Sequence, residues 1–261
     1  LFSATIAIKQ NDIKKVLAYS TVSQLGYMFI AVGLGFYSSG LFHVFTHAFF
    51  KAMLFMGAGG VIIALHHEQN IFNIAKHRAI LPIISATFLI GVIAISGIPP
   101  FSGFFSKDAI LAAAFQEGHY LIYGIALFTA FLTAFYMFRL YFVVFVTPNH
   151  HKKEYVYTSK TITFPLVVLA VGAVTAGFLN LPSIFGGTHM VDTWLGSLNS
   201  KTITLSHSTE YILMALSVLV ASFGIFIAYK KYARFDLEKP ELEVGFVGRK
   251  LYVDELYDIL F

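Results

Sequence analysis

Long apolar runs alternate with short polar stretches along the chain. Leu1 to Ile8 is apolar and closes at Lys9. Further runs cover about Val16 to Phe36, Leu41 to Leu65, Ile80 to Ile98, Phe101 to Phe115, Tyr120 to Val146, Ile162 to Leu181 and Tyr211 to Tyr229. Most approach the ~20 residues that a helix needs to cross a bilayer. Tyr37-Ser-Ser-Gly40 reads as a turn between two runs, and His66 to Ala79 as a polar connection. A polar tail from Lys230 ends in an amphipathic patch, Tyr252 to Phe261. The pattern predicts an all-α, polytopic transmembrane helix bundle. The pieces on either side of Pro99-Pro100 are joined as one discontinuous, Pro-broken span; an ordinary loop between two short helices is the alternative.

Composition agrees with lipid as the solvent. Hydrophobic residues make up 57% of the 261 positions, charged residues only 12%, and Phe alone contributes 28. Soluble domains carry about 25% charged residues. A soluble globular domain, a disordered chain and a disulfide scaffold are therefore excluded; the last also fails because the chain has no Cys. The formal charge of +4 comes from basic residues lying between apolar runs, so it reports topology. If successive spans alternate in direction, one side receives Lys9, Lys14, Lys15, Lys76, Arg78, Lys152, Lys153, Lys160, Lys230, Lys231 and Arg234, and the other only Lys201. Eleven against one assigns the basic side to the cytoplasm, and a miscounted span would scramble that bias. The opening Leu1 to Ile8 has neither the basic flank nor the cleavage site of a signal peptide. It reads as the end of a helix whose start lies upstream, in a longer protein.

Ionisable groups inside the runs cost roughly 2.5–3.5 kcal/mol each on insertion scales, so the exceptions are informative. His43, His47 and Lys51 follow one another in steps of four and share a slowly drifting helix face. They suggest a proton relay, since His titrates near neutrality and burial lowers the pKa of a Lys. The rival reading is a snorkelling Lys51 with satisfied core imidazoles. Zinc at His-x-x-x-His lacks a nearby carboxylate or Cys, so no metal site is expected. The second exception is Gly97-Ile-Pro99-Pro100-Phe-Ser-Gly103-Phe-Phe-Ser-Lys107-Asp108. Two prolines remove two amide donors there, and broken backbone at membrane depth is tolerated only inside protein or beside a wet cavity. Lys107 and Asp108 follow the break, as at transporter ion sites built on discontinuous helices. Secondary candidates are Asp12, Lys14, Lys15, Ser23 and Gln24, where Asp12 and Lys15 can pair at a helix start or simply anchor it at the interface. Arg139 reads as snorkelling or paired. No nucleotide-binding loop, Cys ligand set or nucleophile triad is recognisable, so the residues point to an ion conductor without a redox centre.

Asp12-Ile-Lys-Lys-Val-Leu-Ala-Tyr-Ser-Thr-Val-Ser-Gln-Leu-Gly-Tyr27 and Phe42-His43-Val-Phe-Thr-His47-Ala-Phe-Phe-Lys51-Ala resemble the antiporter-like subunits of proton-pumping NADH–quinone oxidoreductase, respiratory complex I. His66-His-Glu-Gln-Asn-Ile71, Gly103-Phe-Phe-Ser-Lys107-Asp108 and, more faintly, Leu256-Tyr-Asp258 resemble the subunit L (chain 5) type of the bacterial enzyme. The resemblance implies the second of two inverted repeats over residues 1–146, further transmembrane helices over 147–230 and a polar cytoplasmic-side tail over 231–261. It implies Lys51 as the central proton carrier with His43 and His47 beside it, and Lys107 as the terminal lysine. It further implies that NADH, FMN, iron–sulfur clusters and quinone sit in partner subunits, that the partners are other membrane and peripheral subunits, and that the membrane is the bacterial inner one. Two rivals stay open: the large subunit of a multi-subunit Na+/H+ antiporter, and a structural membrane scaffold that transports nothing.

Overall fold

The computed structural model describes residues 1–77, 79–148, 154–155, 158–182, 185–187, 190–195, 200–237, 245–248 and 252. Arg78, Lys152, Lys153 and most of the tail, including 253–261, lie outside the described residues. The architecture is an all-α bundle: α1 (Phe2–Lys9), α2 (Ile13–Gly33), α3 (Tyr37–Ala64), α4 (Ile71–His77), α5 (Pro82–Ser96), α6 (Ser102–Gln116), α7 (Tyr120–Tyr141), α8 (Lys160–Thr175), α9 (Met190–Trp194), α10 (His207–Tyr232) and α11 (Gly245–Gly248). A π-helical segment, Phe142–Val146, extends α7, and a 3-10 segment, Ala176–Asn180, extends α8. Two-residue strands Ala79–Ile80 and Glu154–Tyr155 pair in parallel.

Among the described residues, five helices are long and apolar enough to cross a membrane: α2, α3, α7 and α8 with their extensions, and α10. Helix is the expected solution in lipid, because every backbone amide must find its partner inside the segment. The outward faces are apolar, with Phe29, Leu121, Phe164 and Leu219 among the most exposed side chains. Small residues bring the helices together, as expected where lipid supplies no hydrophobic drive between them. At Gly91 an added Cβ would lie 2.8 Å from Leu54 Cγ, and at Gly60 one would lie 2.6 Å from Ile84 Cδ1.

The connections sort into two ends. At the basic end, Ile13 N–H donates to Gln69 O (3.0 Å), Ile71 N–H to Asn11 O (2.8 Å), and the Thr147 hydroxyl to Tyr232 O (2.8 Å). At the opposite end, a strap of residues 200–206 crosses the bundle. Lys201 N–H donates to Gly35 O, its ammonium pairs with Glu117, and Gln116 holds both Thr202 O and Thr204 N–H. Hence α5 starts at one end and α6 finishes at the other. Each has 15 residues, about 22 Å, too short to span ~30 Å of hydrocarbon alone. The two halves form one interrupted crossing, as the charge pattern requires.

Three local expectations need correction. Tyr37 to Gly40 is the first turn of α3, while the reversal lies at Leu34–Phe36 around Gly35, whose φ is +87°. Gly40 is small for packing: an added Cβ would lie 3.3 Å from Val32 Cγ2. Asp12 makes no side-chain pair with Lys15; its carboxylate caps α2 by accepting the backbone N–H of Lys14 (2.7 Å) and Lys15 (3.1 Å). The polar stretch after α3 contains α4, which buries Ile71, Phe72, Ile74 and Ala75.

Candidate functional site at the helix break

The break frees a carbonyl. α5 stops at Ser96 because Gly97 turns left-handed, with φ +76°, and its N–H folds back to Ala94 O at 3.1 Å. In a continuous helix Ile95 O would receive the N–H of residue 99 and Ser96 O that of residue 100. Both positions are proline and have no N–H to give. Lys107 supplies the missing donor: its Nζ donates to Ile95 O at 2.6 Å. Gly103 makes this possible, because a Cβ there would land on the Ala94 carbonyl, so the first turn of α6 lies directly on the last turn of α5. The Lys107 ammonium is 3% exposed and stands 5.4 Å from the Tyr27 ring centroid. A cation near a helix C-terminus is favoured by the local dipole.

Ser106 links α6 to α3. His43 is fully buried; its Nδ1 lies 2.9 Å from Ser106 Oγ and its Nε2 3.2 Å from Gln24 Oε1. Thr46 Oγ1 is 2.7 Å from Ser106 Oγ and 3.2 Å from His43 O, and Ser106 Oγ is 3.3 Å from Ser102 O. These distances satisfy both protonation states. With neutral His43, Nε2–H donates to Gln24, Ser106 O–H donates to Nδ1, and Thr46 O–H donates to Ser106. With the imidazolium, Nδ1–H donates to Ser106, Ser106 O–H turns to Ser102 O, and Thr46 O–H turns to His43 O. Two hydroxyl rotations accommodate the proton without moving the backbone.

The other members of the α3 series differ. The His47 ring centroid is 6.2 Å from that of His43 and 5.3 Å from that of Phe50, and His47 is half-buried. Lys51 is 5% exposed and its Nζ has no hydrogen-bond partner among the described residues; it stands 5.6 Å from the Phe55 ring centroid. Asp108 follows Lys107 but faces α10, accepting the Ser217 hydroxyl at 2.9 Å. Its carboxylate borders a cavity of about 440 Å³ under the 200–206 strap, which Asp192, Lys201, His207 and Glu210 also line.

Of the residues singled out by sequence, the fold brings His43, Gln24, Lys107 and Asp108 into the connected interior. Ser23 is buried beside the Tyr136 hydroxyl. Pro99, Pro100 and Gly103 form the break. Asp12, Lys14 and Lys15 stay at the basic end, with both lysines exposed. Arg139 is fully buried: it donates to Gln10 O (2.8 Å) and Asn11 Oδ1 (2.7 Å), between the rings of Phe72 and Tyr232. Sequence reasoning missed Ser106, Thr46 and Ser217, although single hydroxyls inside otherwise apolar helices were the available signal. It also missed Ile95, whose role is carried by a main-chain carbonyl. Among the described residues no cluster of three or more His, Asp or Glu side chains is arranged to hold a metal.

The family described as NADH:quinone oxidoreductase/Mrp antiporter, TM, matches residues 1–133. NAD(P)H-quinone oxidoreductase chain 5 of Picosynechococcus sp. is 39% identical over 99% of this chain and 44% of the relative. NADH-quinone oxidoreductase subunit L of Rhodobacter capsulatus is 46% identical over 71% of this chain and 28% of the relative. The Escherichia coli subunit L is 40% identical over 87% and 35%. The chain thus spans less than half the length of these curated relatives. A solved structure of the Mrp complex from Dietzia sp. shares the fold, with a TM-score of 0.63 and 19% identity over 98% of this chain and 29% of that one. With a bundle of membrane-crossing helices, one of them broken at Pro99-Pro100, and a match over just more than half its length, the chain belongs to the transmembrane family of NADH:quinone oxidoreductase and Mrp antiporter subunits.

Proposed function

We propose that the chain carries a proton path of a membrane subunit of NADH–quinone oxidoreductase. In this reading Lys107, His43, His47 and Lys51 hold and pass protons, Asp108 opens the path to the cavity at the less basic end, and Pro99, Pro100 and Gly103 create the break that Lys107 needs. The supporting observation is the Lys107 amine fastened to the carbonyl that the prolines release, next in sequence to the Ser106 hydroxyl that serves His43 in either protonation state. An amine in that position accepts a proton when the carbonyl dipole is presented to it and gives it up when a charge change elsewhere disfavours the ammonium.

The driving force in this proposal comes from redox reactions in partner subunits, which hold NADH, FMN, iron–sulfur clusters and quinone; this chain binds none of them. Residues 1–146 form the conducting unit, 147–230 add membrane helices and 231–261 form a tail. The protein is multi-pass in a bacterial inner membrane with its basic loops in the cytoplasm.

The test is NADH-driven proton pumping by the assembled complex carrying Lys107→Ala or Lys51→Ala. Each variant should lower the protons moved per NADH oxidised. Normal pumping by both in an assembled complex overturns the reading. Likeness to the Mrp fold favours a second reading, a sodium/proton antiporter subunit. Copurification with iron–sulfur subunits supports the first, and sodium-driven proton movement without them supports the second.

A further inference from the structure

A polar seam joins α2 to α7. On α2 the polar residues Ser20, Ser23, Gln24 and Tyr27 recur at helical spacing; on α7 Thr129, Thr133, Tyr136 and Arg139 do the same. The two stripes face one another. Tyr27 OH donates to Ala126 O at 2.6 Å, Ser20, Ser23 and Thr133 surround the Tyr136 hydroxyl, and Arg139 reaches Gln10 and Asn11 in the turn before α2. All eight residues are 5% exposed or less. The seam starts at the basic end and finishes on Gln24, whose Oε1 meets His43.

Its polar groups are more numerous than its protein partners. Gln10 is fully buried, and both its amide atoms lack a hydrogen-bond partner among the described residues, as does Gln24 Nε2. Buried amides without protein partners are normally satisfied by internal water, since leaving each one bare costs about 1–3 kcal/mol. One orphan amide stands at each end of the seam, with the Ser20, Ser23, Thr133 and Tyr136 hydroxyls between them.

We infer that the α2–α7 seam is a hydrated proton-uptake branch from the basic end to His43, separate from the Lys51 face of α3, with Tyr136 as its central relay. This deepens the transport function proposed above and rests on it. Each relay oxygen accepts a proton on a lone pair and releases its own proton to the next oxygen, so no seam residue ends with a changed charge. His43 receives the proton at Nε2 in its Nδ1–H tautomer, in which Nδ1–H donates to Ser106 and Nε2 is the free acceptor, after the Gln24 side chain turns or a water intervenes. Arg139 is a positioning residue, fixing Gln10 and Asn11 at the mouth.

The chain has no Cys, so single introduced thiols report cleanly within it. In the assembled complex, Ser20→Cys and Ser23→Cys should be protected from later maleimide labelling by Ag+ added at the basic side, and not by Ag+ added at the other side. Tyr136→Phe keeps the ring and should lower the proton-pumping rate about tenfold. A dry seam that serves only as helix glue predicts thiols inert to Ag+ from either side and normal pumping by Tyr136→Phe, and either result overturns the inference. If Tyr136→Phe fails to assemble, Ag+ protection decides. If Lys107→Ala abolishes pumping while Tyr136→Phe pumps normally, the seam inference falls and the transport function stands. Normal pumping by both Lys107→Ala and Lys51→Ala removes the function itself.

Discussion

Lys107 and Lys51 are buried to the same degree, yet the fold holds them in opposite ways. Lys107 follows a helix that prolines have interrupted, and its amine takes the place of a missing backbone donor. Lys51 sits in α3, which runs unbroken from Tyr37 to Ala64. In an intact helix each interior carbonyl already accepts the N–H four residues on, so α3 leaves Lys51 no carbonyl that lacks its backbone donor. A helix break is thus a way of making an acceptor at membrane depth out of main chain alone. Its cost is the close approach of two helix ends, which only a glycine at 103 allows.

The largest expected effect comes from closing that approach. Gly103→Ala sets a methyl against the Ala94 carbonyl and should part α5 from α6, lowering stability by about 3 kcal/mol or more. The thermal midpoint of the purified protein in detergent measures this; an unchanged midpoint would mean that contact between the two halves does not create the Lys107 site. Next, the two lysines should diverge on replacement by methionine. Lys107→Met leaves Ile95 O unpaired and should cost about 1–3 kcal/mol. Lys51→Met removes a buried amine without a partner and should be neutral or stabilising. Equal losses in the two midpoints would erase the contrast. Ser217→Ala removes the hydroxyl donated to Asp108 and should cost about 1 kcal/mol, with the Lys107 contact unchanged; a larger loss would mean that Asp108 and Lys107 behave as one unit.

The smallest effect lies outside the membrane spans. The backbone N–H of Asn70, helped by the Asn73 amide and the Gln69 N–H, holds the Glu68 carboxyl below the ordinary range. Because the folded value is depressed, this stabilisation is present above the unfolded value of about 4.3 and is lost as pH falls through the folded one. Amide exchange at Gln69 and Asn70 should rise on that acidification, while the difference between the two lysines persists. Coupled change at both places would tie the basic-end turn to the buried amines.

The spans and the break were legible because lipid leaves few choices: runs of about twenty apolar residues must be helices, and Pro99-Pro100 must interrupt one. Tyr37 to Gly40 misled because Ser and Gly favour turns locally, whereas Gly40 is needed for helix contact. α4 was hidden by its polar flanks, and its apolar face is too short to carry a periodic signal. The site was half legible. Charged and imidazole groups stand out against an apolar background, but Ile95 acts through its main chain, and Tyr136 looks like any aromatic in a membrane helix until Ser20 and Ser23 are seen beside it. Arg139 illustrates the same point, since nothing in its sequence neighbours reveals that Gln10 and Asn11 will take its donors.

The strap over residues 200–206 is anchored to three neighbours at once: Gly35 before α3, Glu117 after α6, and Gln116 on α6 itself. It roofs the chamber that ends on Asp108. The aperture to that carboxylate is therefore set by a few extramembrane tethers, and drift in a surface loop can widen or narrow it while the helical lattice inside the bilayer stays as it is.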